Sequence, residues 1–191
     1  MKNPPGISFT PRTLRAIFAR LLFSVFLPVC AIPAMAVERC TLTLAPSLID
    51  FGSATRGELL GRSPAGELLN LGKRHTRLQV QCDAPTSMRI WLDGARVDTQ
   101  HYPFGDGVLK VSVLSARLDG AAMAWRREGE ESPVDSGLLR PGERIMPWHN
   151  GAAALGTRWD LELELDARIN EEATRVRDIK TLENRIRIEL E

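Results

Sequence analysis

Cysteine and histidine are nearly absent from this chain, and their scarcity removes whole classes of chemistry. Three cysteines (Cys30, Cys40 and Cys82) and three histidines (His75, His101 and His149) occur among 191 residues. The histidines stand in separate turn-like segments with neither an HxH nor an HExxH arrangement, so no metal site is expected. No GxSxG elbow, phosphate-cradling glycine loop or Ca²⁺ loop is present, and the FGDG segment at Phe104–Gly107 reads as a tight turn. Asp and Glu fall in alternating outward rows, where a solvated face is a plainer reading than a catalytic dyad. No catalytic residue and no cofactor are expected, and the chain reads as non-enzymatic. A hydrolase on the same scaffold is the last of the competing readings, kept because fold does not decide function.

A long apolar run is also missing. The apolar stretch beginning at Leu21 extends for about 16 residues and contains Pro28 and Pro33, whereas a spanning helix needs about 20. Ahead of it lie Lys2, Arg12, Arg15 and Arg20 with no acidic residue, and after it the small-x-small triplet Ala34-Met35-Ala36. That order is a secretory signal peptide over residues 1–36, cut between Ala36 and Val37, in preference to an uncleaved anchor or a lipoprotein attachment at Cys30. The expected mature domain is 37–191, a single unit with no membrane span.

Removing the leader takes four of the 25 basic residues and none of the 24 acidic ones, leaving 21 against 24, a net charge of −3. No basic patch for nucleic acid or an anionic membrane remains. Cys30 leaves with the leader, and Cys40 and Cys82 are an even pair in a chain bound for an oxidising space. A disulfide is the expected state and two buried thiols the alternative. Closing a loop of this size is worth roughly 4 kcal/mol in the chain-entropy picture.

What the sequence has in abundance is alternation with a period of two. CTLTL places Cys40, Leu42 and Leu44 on one face, and RLQVQC places Leu78, Val80 and Cys82 on one face. SMRIWL sets Met88, Ile90 and Leu92 against Arg89 and Trp91, and VLKVSVLSARLDG sets Leu109, Val111 and Val113 inward. The longest run is TRWDLELELDARI, where Trp159, Leu161, Leu163, Leu165, Ala167 and Ile169 alternate with charged residues. The chain closes on RIRIELE, with Ile186, Ile188 and Leu190 alternating. If this strand lies beside the acidic one, Arg185 and Arg187 face Glu162 and Glu164.

Asp93-Gly94, Asp119-Gly120 and Arg140-Pro141-Gly142-Glu143 are turn signals, the last a type II turn. RGELLGRSPAGELLNLGKR and RREGEESPVDSG read as loops or short edges. The pattern predicts an all-β, antiparallel β-sandwich of six to seven strands with one disulfide and little helix. Of four tryptophans, Trp125 and Trp159 look inward, leaving Trp91 and Trp148 as candidates for stacking on the sugar ring of a host or surface glycan.

The order of these features resembles the fimbrial (pilin-like) subunits assembled by the chaperone-usher pathway. The resemblance rests on Cys40, a proline and LIDFG, a glycine-rich stretch, LQVQC with Cys82, CDAP, MRIWLDG, FGDG, VLKVSVLSARLDG, LRPGE and a terminal alternating strand. It implies an immunoglobulin-like sandwich lacking its seventh strand, with a groove between the Cys40 strand and RIRIELE. It also implies a bacterium with two membranes, export across the inner one to the periplasm, and then a fimbrium or the cell surface. The partners implied are a periplasmic pilus chaperone, the usher and other subunits, which supply the missing strand. The chaperone's grip maps onto Ile186, Ile188, Leu190 and Glu191.

Two departures stand out. Leu190 occupies the place where such subunits usually carry an aromatic residue. Cleavage after Ala36 leaves only Val37, Glu38 and Arg39 ahead of Cys40, about 10 Å of extended chain, too short to donate a strand. The expectation is therefore an exported structural or adhesion-related subunit that accepts a strand without passing one on. The alternative is a self-contained periplasmic or surface sandwich, completed by a strand such as ATRVRDI, that acts as a binding module.

Overall fold

A computed structural model describes residues 39–63, 67–175 and 179–191. The leader over residues 1–36 and its cleavage point at Ala36 and Val37 lie outside the described residues.

Chain order is β1 (Cys40–Ala45), α1 (Arg56–Arg62), β2 (Leu69–Ser87), β3 (Ile90–Asp93), β4 (Tyr102–Phe104), β5 (Gly107–Leu118) and β6 (Ala121–Ala122). It continues through β7 (Trp125–Arg127), β8 (Gly137–Leu139), β9 (Arg144–His149), β10 (Ala152–Ala153), β11 (Leu155–Ile169), a 3-10 turn at Glu171–Thr174, and β12 (Arg187–Leu190). All pairings are antiparallel. The first sheet runs β1-β2-β11-β5-β4, with β6 and β8 also on β5; the second runs β10-β9-β3-β12, with β7 on β9. The protein is an all-β sandwich, and seven of its strands are four residues or longer.

Period-two alternation sets the two inner faces. Leu78 and Val80 of β2, Trp159 and Leu161 of β11, Ile90 of β3, Ile145 of β9 and Trp125 of β7 have no exposed surface. Burying one such aliphatic side chain stabilises the fold by about 1.5–3 kcal/mol. Cys40 stands directly opposite Cys82 in the β1–β2 register, and the two form the disulfide. The turn residues behave as their chemistry dictates: Gly142 takes a φ of 81°, and the amide of Glu143 donates to the carbonyl of Arg140 at 3.2 Å. Asp119 and Gly120 also adopt positive φ, closing β5 onto β6.

Five expectations need correction. RGELLGR is a helix, not a loop. Thr55 is its N-cap: the Thr55 hydroxyl accepts from the amide of Glu58 at 3.3 Å, and the Glu58 carboxylate accepts from the amide of Thr55 at 2.7 Å. Residues Leu69–Lys73, also expected in a loop, open β2 and pair with β11.

The terminal strand does not lie on the acidic one. β12 pairs with β3, so Arg187 stands opposite Asp93, while β11 occupies the middle of the first sheet. Glu164 finds Lys73 instead, at 2.7 Å. Nor does ATRVRDI begin as a strand, since Ala173 and Thr174 belong to the 3-10 turn; residues 176–178 lie outside the described residues. Asp166, expected in a solvated row, is buried and paired to Arg168 at 3.0 Å.

Candidate functional site

Edge strands β1 and β12 close one side of the sandwich poorly. Among the described residues β1 pairs only with β2 and β12 only with β3. Their inward rows, Cys40, Leu42 and Leu44 on one and Ile188 and Leu190 on the other, are all half-buried, as is Ile186 just ahead of β12. At the opposite edge of the first sheet, Tyr102 and Phe104 of β4 are buried. The difference is one of cover: among the described residues the inner rows of β1 and β12 are less buried than that of β4.

A cleft of about 1370 Å³ opens there between the sheets. Its floor is the apolar face of β11 and β5, through Leu163, Leu165, Leu109 and Val111; its rims include Leu44 on one side and Leu92 and Ile188 on the other. Two irregular segments cross the mouth. Residues 46–55 are tied down by Arg74, whose guanidinium donates to the carbonyls of Asp50 at 2.8 Å and Phe51 at 3.0 Å, and by the edge-on contact of Phe51 with Phe104 at 5.3 Å.

Residues 179–186 return from the first sheet toward β12. From 181 to 188 exposed and half-buried residues alternate, with Leu182, Asn184 and Ile186 turned inward. Leu182 packs on Gly105, where an added Cβ would collide with its side chain, and Lys180 pairs with Asp106. Residues 181–186 have the side-chain pattern of a strand without pairing to another strand among the described residues.

The four residues singled out for partner binding divide at this point. Ile186 and Ile188 line the cleft. Leu190 continues their row against the core. The side-chain carboxylate of Glu191 is forked by Arg144, at 3.0 Å from Nε and 3.2 Å from Nη2, with Arg89 at 4.0 Å. The hydrogen bond from Arg144 holds the Glu191 carboxyl below the usual range. The amide of Glu191 donates to the carbonyl of Arg89 at 2.9 Å, extending the β12–β3 ladder by one residue.

Trp91 and Trp148 are half-buried, and each has one ring face covered. Arg144 lies 4.8 Å from the Trp91 ring centre and Arg126 lies 3.5 Å from that of Trp148. A sugar has only the opposite face of either indole for stacking.

Among the described residues no group of three or more His, Cys, Asp or Glu side chains is placed to hold a metal ion, and no helix is long and apolar enough to cross a membrane. His75 lies 3.4 Å from Glu164 and His101 2.9 Å from Asp98, both at the surface. Tyr102 is fully buried, and burial pushes its phenol up in pKa.

No family model and no curated protein matches the sequence. The cleft joins two strand edges, of β1 and β12, that have no further strand partner among the described residues to an apolar floor. Such a site can take a β-strand by main-chain pairing, with alternate side chains set into the apolar layer. The capping box of α1, Thr55-x-x-Glu58, was visible in the sequence and would have located that helix.

Proposed function

We propose that this protein is a fimbria-like subunit or accessory protein of the chaperone-usher type, exported to the periplasm and completed by a strand from a partner. The observation that carries this reading is the pair of half-covered strands, β1 and β12, flanking a cleft floored by apolar core residues. A strand added there covers Leu44, Ile186 and Ile188 and removes two edges that otherwise invite aggregation. A periplasmic chaperone supplies that strand first, and a neighbouring subunit replaces it. With cleavage after Ala36, the chain accepts a strand and has no arm of its own to donate.

Co-expression with a candidate periplasmic chaperone tests the proposal directly. A stable one-to-one complex is expected, lost when residues 187–191 are removed. A soluble, cooperatively unfolding monomer made without any chaperone overturns it. Mass spectrometry of the exported protein checks the mature N-terminus and the disulfide together.

One observation favours a second reading, a self-contained surface or periplasmic binding module. The segments 46–55 and 179–186 already lie across the cleft mouth, with Leu182 on Gly105 and Phe51 on Phe104. If they suffice as cover, unfolding of the isolated domain is two-state and independent of partners. A glycan array then tests Trp91 and Trp148.

A further inference from the structure

The outer face of the second sheet, turned away from the cleft, carries one two-part motif twice. In both copies an arginine from one strand lies over a tryptophan from another: Arg144 over Trp91, and Arg126 over Trp148. The alternation is what puts them on this face. Trp91 stands opposite Arg144, and Arg126 opposite Met146, while their sequence neighbours Ile90, Leu92, Trp125 and Ile145 point into the core.

The two stacks differ in one respect. Arg144 is occupied, since it forks the carboxylate of Glu191 and lies 3.8 Å from Glu128. Arg126 forms no ion pair and donates no hydrogen bond to any described residue. Its Nε is shielded from solvent and unpartnered, which leaves the two terminal nitrogens as the donors that a ligand can reach.

A guanidinium held 3.5 Å above the centre of an indole ring has already lost much of its rotational freedom. Less order remains to be imposed when it forks an anion, and the indole excludes water from one side of the contact. The neighbouring Met146 is buried although it lies outside the main core cluster, so it packs within this outer face. Trp, Arg and Met are the side chains enriched at protein interfaces.

We propose that the Arg126–Trp148 stack is a docking point for a carboxylate presented by an acidic peptide segment of a partner protein. The chain itself shows what the motif accepts, because the Arg144–Trp91 copy holds a glutamate at the end of an extended strand. An acidic sugar fits less well: the guanidinium covers the indole face beside which the sugar's carboxylate would sit, so ring stacking and carboxylate pairing compete for one place. This surface is separate from the cleft, and it stands whether or not a strand is donated there.

The test is an NMR titration of the full exported chain, following the indole Nε–H of Trp148. The probes are an acetylated decapeptide of alternating glutamate and glycine, the same peptide with glutamine, and an oligogalacturonate. The glutamate peptide is expected to give a saturable shift, about tenfold weaker with the glutamine peptide and with Arg126→Ala, a ratio equal to about 1.4 kcal/mol. Arg126→Lys is expected to weaken binding too, because an ammonium does not fork a carboxylate. That variant and the glutamine peptide carry the test if Arg126→Ala fails to fold. Equal response to both peptides, binding retained in Arg126→Ala and Arg126→Lys, or no shift with any probe overturns the proposal. Tighter binding of the oligogalacturonate than of the glutamate peptide overturns the choice of a peptide.

Discussion

The two sheets of this sandwich are built to different standards. In the first, β2, β11 and β5 are 19, 15 and 12 residues long, and their inner rows are buried along most of their length. In the second the longest strand, β9, has six residues, and β12 has four, all of them at least partly exposed. Long strands with two partners satisfy their backbone groups and bury their apolar face together; a short edge strand does neither fully. Stability should therefore be concentrated in the first sheet, and adaptability in the β3–β12 edge of the second.

The largest effect should come from a cavity in the strong sheet. Trp159→Ala removes a fully buried indole from β11 and is expected to cost about 3–5 kcal/mol in urea unfolding. The matching change in the weak sheet, Ile188→Ala, should cost less than about 2 kcal/mol because its side chain is already half-covered. Equal costs would mean that the cleft is closed in solution and that the contrast between the sheets is false.

Next comes the covalent tie. Replacing Cys40 and Cys82 together with alanine should lower stability by about 2–4 kcal/mol and raise amide exchange in β1 before β11. Exchange rising equally in both strands would show that the disulfide supports the whole wall instead of its edge.

Smaller again is the cap of α1. Thr55→Ala removes the side-chain acceptor for the amide of Glu58 and should cost about 1 kcal/mol, read as a lower thermal midpoint. No loss would show that the helix is held by Leu59, buried against the sandwich, and not by its terminus.

The smallest effect is electrostatic. The hydrogen bond from Lys73 lowers the pKa of Glu164, so the pair's contribution is present above the ordinary glutamate range, about 4.3, and is lost as pH falls through the lowered value. Glu164→Gln should flatten the acid limb of the stability curve by a few tenths of a kcal/mol, as expected for a surface pair. An unchanged limb would assign the acid sensitivity to other carboxylates.

Legibility in the sequence followed the physics of each element. The β11 row from Trp159 to Ile169 and the cysteine pairing were readable because alternation fixes which face a side chain takes. The partner of β12 was not, because RIRIELE matches any acidic or polar neighbour equally well, and Glu162 and Glu164 were attractive for charge alone. Topology placed β11 in the sheet centre, where Lys73 and Ser115 already flank those glutamates. Helix α1 is harder to read because two of its seven residues are glycines, poor helix formers, and only the capping box at Thr55 and Glu58 marks it. Of the candidate site, Ile186, Ile188 and Leu190 were legible as a row; the clamp on Glu191 was not, since Arg89 and Arg144 reach it only through the pairing of β3 with β9 and β12.

One property of the first sheet concerns time. Among the described residues β11 is the last strand but one in the chain, yet it separates β2 from β5. From the first residue of β2 to the last of β11 the chain runs about 100 residues, and contacts that far apart in sequence form late and slowly. Until β11 is in place, the edges of β2 and β5 that it joins are unpaired, a state open to proteases and to other unfolded chains. Refolding of the full chain should therefore protect the amides of β2, β5 and β11 in one late phase of hydrogen exchange, and protection of β2 or β5 well ahead of β11 would contradict this.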